Sequence, residues 1–106
     1  MGSSLTRRQI LESGAQRIGN ASAHLTVYDG PFTTREAEEY TRQAQVVVHQ
    51  KNWNEEEIAR FRQLAIRRVR KELRDRMKKE HLSNLKSVLA EAIQIIDEFI
   101  QREMKK

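Results

Sequence analysis

Ten lysine and arginine side chains fall between Ile58 and Lys79, and only Glu72 and Asp75 oppose them, so this stretch carries +8. Phosphates repel one another along a nucleic-acid backbone. A row of cations offsets that repulsion and releases condensed counter-ions. Arginine adds a planar fork that meets two phosphate oxygens at once. On a helical projection of about 100° per residue, Arg60, Arg67, Lys71, Arg74 and Lys78 fall within about 60° of one another. Arg68 and Arg70 flank them. The opposite arc holds Ile58, Phe61, Ala65, Ile66, Val69, Leu73 and Met77.

The expectation is a non-enzymatic protein, acting as a dimer, that binds DNA, RNA or another polyanion through helix 58–79. Two other readings compete: a solvated outer face, and a site for an acidic protein partner. A solvated face usually carries Glu four residues ahead of its cations, and that interleaving is poor here. No aromatic residue lies on the basic stripe, so a stacking platform for single strands is not expected. The short Asn52–Asn54 link suggests a helix-turn-helix pair, but the helix after it is long for a groove reader.

A second pattern suggests assembly. Leu82, Leu85, Leu89, Ala92, Ile96 and Phe99 recur at three and four residues, with Ile100 beside them. That spacing resembles a short coiled-coil seam. The alternative function is therefore a helical assembly or adaptor subunit, docking a partner helix or a second copy through the apolar face of 82–100. Trp53 has two readings, a core anchor at a helix start and an interface anchor.

Other chemistry finds little support. There is no cysteine, hence no disulfide and no thiolate metal site. His24, His49 and His81 lack ligand-type neighbours at helical spacing. Glu36, Glu38, Glu39 and Glu55–Glu57 sit at helix starts, where capping and the helix dipole explain them. No enzyme, metal or cofactor is expected. Met1-Gly2 followed by Thr6, Arg7 and Arg8 matches the myristoylation pattern. An acyl chain plus the basic stripe would anchor the chain to a membrane. Met1–Ser4 also resembles vector-derived sequence, so membrane association is expected only if Gly2 is acylated.

These side chains need rigid elements beneath them. The chain has 106 residues with 4 Gly and 1 Pro, too few turn formers for a sandwich or barrel. The periodicity predicts an all-α, single-domain, four-helix bundle, with helices at about 6–23, 34–51, 55–79 and 83–104. Residues 1–5 read as a loose end and 26–33, around Asp29-Gly30-Pro31, as a turn. Thr6 with Gln9, Thr33 with Glu36 and Asn54 with Glu57 have capping-box spacing, and Trp53 with Ile58 has staple spacing. Gly14 and Gly19 each weaken the first helix by roughly 1 kcal/mol against alanine.

No glycine or proline interrupts the chain after Glu55. The apolar arc nevertheless flips by about half a turn between Met77 and Leu82. A break is therefore predicted near Glu80–Asn84, the alternative being one long helix zipped against another subunit. Ile18, Val47, Phe61 and Val69 are the expected core contacts. No apolar run approaches the roughly 18 residues of a membrane span, and no secretory leader is apparent. An intracellular, cytoplasmic location is expected.

Overall fold

The first element is sealed by its predicted cap. The Thr6 hydroxyl accepts from the Gln9 amide N–H (3.1 Å), and the Gln9 side chain accepts from the Thr6 N–H (2.9 Å). A computed structural model describes residues 6–26, 33–77 and 85–105. It contains four helices in the predicted order: α1 (Arg7–Thr26), α2 (Thr33–Val48), α3 (Glu55–Met77) and α4 (Leu85–Glu103). Among the described residues there is no strand. The all-α bundle expected from the periodicity is the observed fold. Val46–Val48 lie in α2, so the helical spacing around them outweighs their β-branched run. The predicted 26–33 turn, the 80–84 break and residues 1–5 fall largely or wholly outside the described residues.

Helix ends follow local hydrogen bonding. α1 runs to Thr26, past the expected 23. There the Thr26 hydroxyl and the His24 Nδ1–H reach back to the carbonyls of Ser22 and Asn20. α2 ends at Val48, short of the expected 51. The Trp53 indole N–H donates to the Val48 carbonyl (2.8 Å) and closes that end. The Asn54–Glu57 box opens α3 reciprocally, at 2.8 and 3.1 Å.

Ion pairs and ring contacts set the directions. Arg7 reaches Glu57, and Gly14 lies against Phe61, so α1 and α3 run parallel. His24 meets Glu36, whereas Gly14 meets Val48, so α2 runs antiparallel to α1. Arg62 meets Asp97 and Phe61 stacks on Phe99, with Leu73 and Leu89 lining one groove, so α4 runs antiparallel to α3. The result is an up-down-up-down bundle.

α1 is the central element, packing against α2, α3 and α4. Its buried residues are small: Gly14, Ala15, Gly19, Ala21, Ser22 and Ala23, with Ile10, Leu11 and Ile18. The buried Ser22 hydroxyl is satisfied by the Ile18 carbonyl (2.8 Å). Around α1 lie Ala37, Ala44 and Val48 of α2, Phe61, Ala65, Val69 and Leu73 of α3, and Ala92, Ile96, Phe99 and Ile100 of α4. Of the four expected core contacts, Ile18, Phe61 and Val69 are buried. Val47 is only half-buried, and its neighbour Val48 takes the core position. A shift of one residue turns a helical side chain by about 100°, enough to exchange the two.

The glycines of α1 have a packing role that outweighs their helix propensity. A Cβ on Gly19 would lie 2.7 Å from the Arg68 Cβ and 2.9 Å from the Ala65 carbonyl oxygen. A Cβ on Gly14 would meet only side-chain tips, Val48 at 3.0 Å and Phe61 at 3.2 Å. Gly19→Ala is therefore expected to destabilise the bundle by about 1–3 kcal/mol in urea unfolding, despite the propensity gain. Gly14→Ala, whose neighbours can give way, costs clearly less. Equal effects would rule out the backbone approach as the cause.

Two carboxyls make the fold acid-sensitive. Hydrogen bonds from Arg7 and from the Asn54 N–H hold the Glu57 carboxyl below its ordinary range. Burial pushes the Glu103 carboxyl up, but hydrogen bonds from Arg102, Gln45 and His49 outweigh it, and the net shift is down. A depressed folded-state value means stability that is present above the ordinary carboxyl value and lost as the pH falls through the folded one. The urea midpoint, followed by circular dichroism, should hold well above pH 4.5 and fall below it. Glu57→Gln should flatten that fall.

Candidate functional site

α3 has 23 residues and is about 34 Å long. Its inner face is fixed by Phe61, Ala65 and Val69, all fully buried, and by Leu73. That anchorage turns Arg60, Arg67, Arg70, Lys71 and Arg74 outward, and all five are exposed. From Arg60 to Arg74 the row covers about 21 Å.

None of these five makes an ion pair or a hydrogen bond among the described residues. Other arginines contrast with them. Arg7 holds Glu57, Arg42 holds Glu39, and Arg102 holds Glu103. On α3 itself, Arg62 meets Asp97 at 2.7 Å, a bond that raises the Arg62 guanidinium above its ordinary value. Arg68 departs from the sequence reading. Its Nε–H donates to the Asn20 side-chain oxygen (2.7 Å), and its Nη2 lies 3.2 Å from Glu72. It is half-buried against Gly19, which makes it a strut between α1 and α3. Lys78, the remaining candidate cation, lies outside the described residues.

Two grooves flank the row. On the α1 side, Glu12, Gln16 and Leu64 join Arg67, Lys71 and Arg74 around a shallow hollow of about 340 Å³. On the α4 side, Ile66, Leu73 and Leu89 form the floor of a groove of about 820 Å³, with Arg67, Arg70 and Arg74 on its rim and Gln63 beside them. Sequence reasoning did not find these grooves. Ile66 was legible as apolar, but that α4 would leave it half-buried beside Leu89, over the buried Leu73, depends on how two helices splay.

The seam on α4 needs correction. Ile96, Phe99 and Ile100 are buried inside the chain, at 0%, 1% and 3% exposure. They pack on α1 and α3, so they do not form an external docking face. Leu89 is half-buried at the open groove. Leu82 lies outside the described residues, and of Leu85 only the backbone, at the start of α4, is described. The spacing that suggested a coiled coil is equally the spacing of a core-facing bundle helix.

Two histidines serve as ties between helices, and His81 lies outside the described residues. His24 Nε2 lies 2.8 Å from Glu36, and His49 Nε2 lies 2.8 Å from Glu103. Trp53 packs on the core with the Arg7 guanidinium 5.0 Å from its ring centre, in keeping with the anchor reading. Among the described residues no group of three metal-ligating side chains comes together. No helix there is long and apolar enough to cross a membrane. The fold and face define a helical bundle with one strongly cationic helix. No family model, no curated protein and no solved structure matches the chain.

Proposed function

We propose that the protein binds nucleic acid by gripping phosphates with the outer face of α3. The observation that supports this most is the row Arg60, Arg67, Arg70, Lys71 and Arg74, five exposed cations without a counter-ion among the described residues. Holding unneutralised cations together on one rigid helix is unfavourable by itself, and a polyanion relieves it. Arg62 and Arg68, which have protein partners, are left out of the grip. Phe61 and Phe99 are buried, and no other described aromatic side chain stands on this face, so the contact is to backbone phosphates and not to stacked bases. Ile96, Phe99 and Ile100 are occupied in the core, so this reading does not use a helix docked on them.

Fluorescence anisotropy with a labelled DNA duplex tests the reading. If all five cations meet phosphates, log affinity should fall against log salt with a slope of about −4.5. Charge reversal at Arg67, Lys71 and Arg74 should weaken binding by well over tenfold and bring the slope to about −2. Reversing Arg42, a cation on α2, should leave both nearly unchanged. Absence of a complex at low salt with duplex and single-stranded DNA and RNA, or equal losses from Arg42→Glu, would refute it.

A further inference from the structure

The groove between α3 and α4 combines two features that phosphate binding does not need together. Its floor is aliphatic, made by Ile66, Leu73 and Leu89, and its rim holds Arg67, Arg70 and Arg74. A nucleic-acid backbone would use the rim and leave the floor wet. We propose that this groove seats an acidic amphipathic helix of a partner protein, about three turns long.

Charge and spacing identify the occupant. The rim arginines are spaced by three and four residues, or about 4.5 and 6 Å along α3. Carboxylates at i, i+3 and i+7 on a helix lying alongside repeat with the same rises. An extended strand places same-side residues about 6.6 Å apart and drifts out of step. Ile66 and Leu73 are also seven residues apart, so the floor takes apolar anchors at i, i+4 and i+7. The three rim cations have no counter-ion among the described residues, so a partner's carboxylates would displace no existing pair.

This inference does not rest on nucleic-acid binding. It draws on the same cations, so the two ligands exclude one another. An acidic helix in the groove would cover Arg67, Arg70 and Arg74 and release a bound duplex.

The probe is a synthetic acidic helix about three turns long, with leucine at i, i+4 and i+7 and glutamate beside them. It is titrated into the full chain with methyl resonances recorded. Those of Ile66, Leu73 and Leu89 should shift with the peptide and stay in place with the duplex. A scrambled peptide of the same composition should bind at least about tenfold more weakly. Leu89→Gln should weaken the peptide by about as much while leaving the duplex affinity intact. Equal binding of the scrambled peptide, or unmoved methyls, would overturn the proposal. So would sedimentation as a dimer with these methyls already shielded, which would make a second copy the occupant. If the duplex does not bind at all, the nucleic-acid reading fails and the methyl shifts still decide this one.

Discussion

The backbones of α1 and α3 approach so closely at Gly19 that no side chain fits between them. An added Cβ there would stand 2.9 Å from a carbonyl oxygen of α3, which cannot rotate aside as a side-chain tip can. Much of the architecture depends on that proximity. It allows one slender helix to serve three neighbours, because Ala15, Ala21 and Ala23 leave room on the remaining sides. It also clamps α3 in rotation. With Phe61, Ala65 and Val69 pressed inward, the arginines of the opposite face have nowhere to point but solvent. The cationic character of the surface is thus set by the contact at the centre.

The same geometry sorts the cations of α3 into two kinds. Arg62 and Arg68 stand at the edges of the helix, within reach of Asp97 on α4 and of Asn20 on α1. Arg62 is neutralised by α4, whereas Arg68 takes its counter-ion from Glu72 on α3 itself and bonds across to α1, so both join the bundle together. The cations on the crest make no pair with either neighbour among the described residues. A helix wedged between two others can thus pair the cations on its flanks while those on its ridge stay unpaired. The distinction matters for function because a paired guanidinium has already exchanged part of its hydration for a protein partner, and an external anion gains less from it.

How much of this was legible beforehand varies with the range of the interaction. The Thr6–Gln9 and Asn54–Glu57 boxes act over three residues, and each stands as the spacing predicted. Helix identity and the outward row follow from periodicity alone. What escaped was long-range. Gly19 reads as a weak point until Arg68 and Ala65 are brought against it. Arg68 reads as one more free cation until Asn20 is beside it. The α4 repeat reads as a seam for another chain because periodicity reports that a face is apolar and says nothing of which molecule covers it. The early end of α2 came from an indole five residues on, a partner that no propensity includes.

The central position of α1 has a consequence for the order in which the protein is made. α1 leaves the ribosome ahead of α2, α3 and α4, and it is poor at standing alone. It carries two glycines in its interior, its buried face is mostly small residues, and no acidic residue occupies its first turn. The helices that stabilise it are synthesised afterwards. Arg7 finds Glu57 only once some fifty residues separate them in the nascent chain. The element at the heart of the bundle is thus made ahead of the helices that secure it, and its small side chains keep the waiting segment only weakly adhesive.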